Sequence, residues 1–276
     1  MTAYDGTTAL PIDVTPTGGA LGAEVYGVDL RNALAPGTVD LLHTAILEHL
    51  VLVIRDQDIT EEDQVRFTSH FGTPVEHVRK QADRPVREVF VISNVSKDDA
   101  PIGALGNHEL AFHSDLSYMP KPGTYSLLYA TEVPEHGGDT SWCNCYRAYE
   151  TLDPATKQRI AELRATHRHP IPSQNPPQPA SHPVVRTHPL TGGKALYVSP
   201  HLTTGIQGLP DAESRALLER LFAHMTRSGH VWTHRWRVGD LVIWDNRATM
   251  HRREPFPPEE RRIMKRTQIF GDEVPV

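Results

Sequence analysis

The segment Phe112-His113-Ser114-Asp115-Leu116-Ser117-Tyr118 holds the chain's only His-x-Asp. On an extended strand, side chains two residues apart point to one face, so His113 and Asp115 could approach a metal ion from the same side. His251 offers a third donor. It lies just past the apolar run 241–244 and a predicted turn at Asp245-Asn246. Two imidazoles and one carboxylate on one face of an ion suit Fe(II) and leave three positions open for chemistry. Eleven residues past His251 stands Arg262, at the start of a predicted strand. An iron enzyme that consumes a dicarboxylate needs a cation for the far carboxylate, and guanidinium binds carboxylates through two parallel hydrogen bonds. Each residue also has a plainer reading: His251 as a packing histidine, Arg262 as a solvated strand residue. Their combination is what points to a metal centre.

A zinc-protease reading fails on spacing. His108 and His113 resemble the HExxH pair but stand five residues apart, about 140° around a helix instead of on one face. No phosphate-binding glycine loop, dinucleotide fingerprint or G-x-S-x-G elbow is present.

The elements that would carry these residues are mostly strands. Short apolar runs recur between turns at 51–57, 89–95, 124–133, 138–144, 194–200, 239–246 and 262–271. That texture predicts a sandwich or barrel of antiparallel strands. Helices are expected over 42–50, over 59–72 with Thr60 ahead of three acidic residues, over 145–166, and over 211–227 opened by Asp211. The Pro-rich stretch 169–190 predicts a long surface excursion that could serve as a lid. One mainly β domain over 1–276 with flanking α-helices is the economical reading.

Bulk properties set the class. The 276 residues carry a net charge of −6, with 22% charged and 38% hydrophobic residues, as expected of a soluble globular protein. Basic clusters are too short for dedicated nucleic-acid binding, and no apolar stretch is long enough for a membrane span. The N-terminus lacks the basic and apolar regions of an export signal. Cys143 and Cys145 are separated by a single residue, too close for an unstrained disulfide. Two free thiols fit a reducing cytoplasm. The expected partner is a small-molecule substrate, with no nucleic acid and no membrane; homo-oligomerisation is left open.

The ordered motifs FHSD, PEHGGDTSW, HPVVRTHP, LYVSP, WDNRATMHR and RRIMKRTQI resemble the taurine dioxygenase family (TauD/TfdA type), from about Gly19 to Gly271. The resemblance implies a double-stranded β-helix, a cupin-like jelly roll, and an oxygenase using Fe(II), 2-oxoglutarate and O2. It makes His113, Asp115 and His251 the iron ligands. It gives Arg262, supported by Thr140, the far carboxylate of 2-oxoglutarate. Arg266 matches an arginine that meets the substrate's anionic group, and His77 a substrate-contacting histidine. Lys80 replaces an expected pocket tyrosine and Glu109 an expected asparagine, so both are candidate substrate contacts, and taurine itself is disfavoured. The implied reaction hydroxylates a small anionic or amino-acid-like substrate and releases succinate and CO2. The competing readings are a metal-binding β-barrel sensor without turnover and a zinc hydrolase on the same scaffold, in which Arg262 and Thr140 would have no purpose.

Overall fold

A computed structural model describes residues 12–81 and 84–276. The first eleven residues, which carry most of the N-terminal segment read above, lie outside the described residues.

The run Val51-Leu52-Val53-Ile54 shows how the fold is organised. All four residues are buried, yet they belong to two different cores. Val51 and Val53 face one cluster, which also takes in Leu128, Val242, Trp244 and Met264. Leu52 and Ile54 face the other, with Leu127, Tyr129, Leu241 and Ile243. Alternation along each strand thus sends neighbours to opposite sides of a sheet covered on both faces, which is why its strands read as unbroken apolar runs.

That sheet has eight strands in the order Asp13–Pro16, Ala23–Tyr26, Val51–Ile54, Leu241–Asp245, Gly123–Glu132, Ile263–Phe270, Phe90–Ser93 and Ala104–Leu105. Its outer face packs against the helices Pro36–His49 and Glu61–Thr68. Thr60 caps the second helix as expected, in a reciprocal pair with Asp63. Its inner face meets a four-stranded sheet of Val231–His234, Thr140–Asn144, Thr249–Arg253 and Leu110–His113. Trp142 and Trp244 meet edge to face between the sheets at 5.5 Å. Beyond the smaller sheet, Cys143 and Cys145 are buried free thiols, and Cys143 donates to the Met225 carbonyl at the end of the helix Asp211–Met225.

Three expectations are corrected. The 145–166 interval forms two short helices, Cys145–Glu150 and Pro154–Ile160, and then a strand, Arg164–His167. That strand exists because it is paired on both sides, by Ala180–Pro183 and Thr203–Ile206; such long-range pairing leaves no local signal. Only the first part of the Pro-rich stretch is a surface excursion. From Ala180 onward it is packed inside, with His182, Val184 and His188 buried; Pro183 is accommodated because its strand lies at a sheet edge. Asp211 is the first residue of its helix rather than its cap, where Pro210 stands and offers no side-chain acceptor.

The turn after Leu241–Asp245 is fixed by a buried ion pair. Asp245 is fully buried, 2.6 Å from Arg247 and 3.0 Å from His188, and Arg247 also donates to Tyr125. Burial alone would raise the Asp245 pKa, but the Arg247 charge and the His188 hydrogen bond outweigh it, holding the carboxyl well below the usual range. A depressed carboxyl pKa contributes stability that is fully present above the unfolded value near 4 and is lost as pH falls below that value and through the lower folded one. Asp245→Asn should therefore cost about 3–5 kcal/mol at pH 7 by leaving Arg247 without a counter-charge. Its melting temperature should also fall less than the wild type's between about pH 6 and pH 3, a comparison made by calorimetry at stepped pH.

Candidate active site

His113 ends the strand Leu110–His113 and His251 sits at the centre of Thr249–Arg253; the two are direct cross-strand partners. Their rings lie 4.3 Å apart between centroids. Asp115 is not on the strand, contrary to the expectation from spacing. The strand stops at His113, and Asp115 enters a turn in which Leu116 takes a left-handed φ of 58°. Ser114 Oγ donates to the Thr249 carbonyl at 2.7 Å and the Asp115 N–H donates to Asn246 Oδ1 at 3.1 Å, so the turn is pinned from both sides. The result still brings the donors together: His113 Nε2 is 3.7 Å and His251 Nε2 4.0 Å from Asp115 carboxylate oxygens. All three ligand atoms lie within 4.8 Å of one another, each in a buried residue.

The donors are chemically ready for a cation. His113 Nδ1 lies 2.8 Å from the Ala111 carbonyl, which can only accept, so Nδ1 carries the proton and the Nε2 lone pair is free. Burial pushes His113 down to about 3 and His251 to about 4, so both rings are neutral at physiological pH. Asp115 is ionised: burial opposes this, but the Arg266 charge, with the Ser126 hydrogen bond, holds its carboxyl far below the usual range. Ser126 Oγ donates to Asp115 Oδ2 at 2.7 Å and accepts from Asn246 Nδ2 at 3.0 Å and Gln268 Nε2 at 3.2 Å. His251 is oriented differently. Its Nδ1 has no hydrogen-bond partner among the described residues, and its ring is wedged by Trp244 at 4.8 Å and Trp142 at 6.4 Å.

Beside this cluster lies a buried guanidinium. Arg262, one residue ahead of the strand Ile263–Phe270, is 2% exposed and makes no ion pair among the described residues. Its Nε is buried and unbonded. Burial, with the nearby Arg253 charge, lowers its pKa to about 9. Thr140 Oγ accepts from Trp236 Nε1 at 2.9 Å, leaving its own proton to give. Thr140, His251, Arg253, Arg262 and Arg266 line one small cavity. The second glycine of the GGDT motif packs tightly between Pro134 and the arginine. A Cβ on Gly138, whose φ is +71°, would lie 2.8 Å from Pro134 Cγ and 3.4 Å from Arg262 Cδ.

A second cavity of about 290 Å3 opens over His113 and Asp115. His77 and Arg266 are in its wall, with His77 Nε2 2.7 Å from Arg266 Nη2. Arg266 also reaches Asp115 at 3.5 Å, so part of its charge is answered within the protein. Lys80 and Glu109 do not line this cavity. Lys80 is 79% exposed and pairs with Glu76, while Glu109 faces solvent near Arg252. Each is one residue out of phase with a lining neighbour, Arg79 and Leu110, and an unpaired charge gains more from water than from the cavity. Residues missed from sequence include Arg79, Tyr118, His169 and His201 on this cavity and Arg253 on the smaller one. Arg253 had a signal, standing two residues from His251 on the same strand and hence on the same face. The others sit in loops, where spacing carries no facing information.

A mainly β chain with such a triad beside a buried, unmatched arginine is built as a 2-oxoglutarate-dependent dioxygenase that uses Fe(II) and O2. The sequence model of the taurine catabolism dioxygenase TauD, TfdA family matches residues 13–268, and the chain belongs to that family. It is 35% identical to an alpha-ketoglutarate-dependent 2,4-dichlorophenoxyacetate dioxygenase of Cupriavidus pinatubonensis, over 91% of this chain and 95% of the relative. Among solved structures it is similar to a putative alpha-ketoglutarate-dependent taurine dioxygenase from Burkholderia xenovorans (TM-score 0.84, 34% identity, covering 96% and 94% of the two chains). It is also similar to AAD-2 in complex with Mn(II) and N-oxalylglycine (TM-score 0.82, 32% identity, 97% and 100%). These relatives favour the enzyme over the sensor reading.

The Ser126 hydroxyl gives a direct check on the cluster. Loss of a hydrogen bond that orients a metal-binding carboxylate typically weakens metal affinity about 10–100-fold. Ser126→Ala should show that weakening in an anaerobic Fe(II) titration while remaining folded by circular dichroism. An unchanged affinity would mean that Asp115 is positioned by other contacts.

Proposed function

We propose that His113, Asp115 and His251 hold Fe(II), that Arg262 and Thr140 hold the far carboxylate of 2-oxoglutarate, and that the enzyme hydroxylates a small anionic substrate. The observation that carries this reading is the buried, unpaired Arg262 guanidinium beside a cluster of two neutral imidazoles and one carboxylate. An uncompensated buried cation is costly, and a dicarboxylate removes that cost while leaving its other end for the metal. The donor set fits the ion: His113 presents a free Nε2 lone pair, His251 a neutral imidazole and Asp115 an oriented carboxylate. Bound Fe(II) supplies O2 activation coupled to conversion of 2-oxoglutarate to succinate and CO2, which provides the oxidant for a substrate C–H bond.

The protein's part is placement and exclusion of water. His77 and Arg266 form the polar wall next to Asp115, and Leu110, Leu116 and Phe90 supply an apolar bed for the substrate body. A cavity of this size is at the small end for ligand pockets, as for a single ring with a short acidic arm. We read the two facing sheets as a jelly roll and the chain as one catalytic domain. The buried, reduced cysteines are in keeping with a cytoplasmic enzyme.

Two arginines four residues apart separate the roles. Arg262→Gln should raise the 2-oxoglutarate requirement about tenfold or more, since a charge-assisted bidentate contact contributes about 1.5–3 kcal/mol. Arg266→Gln should leave the 2-oxoglutarate midpoint near the wild-type value and instead uncouple O2 use from product. Both are read by anaerobic 2-oxoglutarate titration of the Fe(II) protein, followed by the visible colour of the chelate. Equal weakening in the two variants would overturn the division of labour; no shift in either would remove both from the site.

A further inference from the structure

The larger cavity contains more hydrogen-bond donors than the protein can match. His77 Nδ1 accepts the Arg79 backbone N–H at 3.0 Å while its Nε2 faces an Arg266 donor at 2.7 Å. His169 Nδ1 accepts the Ile171 N–H at 3.0 Å while its Nε2 faces Arg79 Nη2 at 3.0 Å. A neutral imidazole has one proton and one lone pair, so each ring meets one of its two neighbours donor to donor. Desolvation keeps both rings neutral, with His77 near 3 and His169 near 4. The Tyr118 ring, buried beside His169 at 5.0 Å between centroids, also lines the cavity.

Charge is equally one-sided. Two guanidinium groups, Arg79 and Arg266, and one carboxylate, Asp115, line the cavity. Arg266 is engaged with Asp115; Arg79 makes no ion pair among the described residues, and its only side-chain partners are Gln174 and His169, both neutral. Those partners belong to the Pro-rich excursion, so Arg79 ties that segment to the chain leading out of His77.

We infer that Arg79 is the anion anchor that selects the substrate: it binds the carboxylate or sulfo group of an aryl or alkyl acid at the cavity mouth, with the apolar body running inward toward His113 and Asp115. An oxyanion there supplies the acceptor that Arg79 and His169, facing each other donor to donor, both lack. Gln174 and His169, already hydrogen-bonded to the same guanidinium, hold the Pro-rich segment beside that position. This assignment rests on the dioxygenase reading for the position of the reacting carbon, and on the cavity alone for the choice of acid.

The test compares phenoxyacetate with its neutral isostere phenoxyacetamide by calorimetry on the anaerobic Fe(II)–2-oxoglutarate protein. The wild type should prefer the acid by about tenfold or more. Arg79→Gln should abolish that preference by weakening the acid alone, and Arg79→Lys should restore part of it. The 2-oxoglutarate midpoint, which reports on Arg262, should not move in either variant. Equal weakening of acid and amide would make Arg79 a structural residue, an intact preference in Arg79→Gln would give the role to Arg266, and a wild type that does not prefer the acid overturns the proposal outright. A wild type that prefers the acid but forms no succinate in air would instead overturn the dioxygenase reading and leave the anion anchor standing.

Discussion

Everything at the centre of this molecule depends on how the Asp115 turn is gripped by both sheets at once. The turn leaves the smaller sheet after His113, and Ser114 ties it back to Thr249 of that sheet. Asp115 is held from the larger sheet by Ser126 and Arg266, and from the turn after Leu241–Asp245 by Asn246. A short loop would ordinarily be among the more mobile parts of a domain, yet here it carries a carboxylate that must be placed to a fraction of an ångström. The hydroxyl and amide network around Ser126 supplies that rigidity because every partner is itself anchored in a strand or a buried turn.

The buried arginines divide by what answers their charge. Arg247 is answered inside the protein by Asp245 and contributes to the fold. Arg253 is answered by the backbone carbonyls of Leu105, Gly106 and His108, dipoles that solvate a guanidinium without neutralising it, and so it fixes the loop lining both cavities. Arg262 is answered by nothing among the described residues. Arg186 is likewise buried without an ion pair among the described residues, stacked on the Tyr197 ring, and what sets Arg262 apart is its place in the wall of the small cavity beside His251.

Much of this was legible in the sequence, and the reasons differ by residue. Strands such as Val51–Ile54 and Leu241–Asp245 were visible because burial on both faces leaves continuous β-branched runs. The capping box at Thr60 was visible because its chemistry is local. His113, Asp115, His251 and Arg262 were singled out by residue type and order, although the geometric argument for Asp115 was wrong: the pair converges through a turn and not along a strand. The strand Arg164–His167 was hidden because only its distant partners make it one. Lys80 and Glu109 show the limit of matching by position, since a one-residue difference in phase decides whether a side chain meets substrate or solvent. Arg79 was hidden by the same phase, next to the residue that drew notice.

The direct pairing of His113 with His251 links the metal to strand register. A slip of one residue between Leu110–His113 and Thr249–Arg253 would turn His251 to the far face of its sheet and leave His113 opposite an aliphatic or arginine neighbour. Such a slip would also turn the buried Met250 and Phe112 out of the core, and it would offer an ion at most two of the three donors. An ion that binds only the correctly paired state stabilises that state by mass action and leaves slipped states behind. An ion held by these three donors would therefore favour the native register of the two strands over a slipped one.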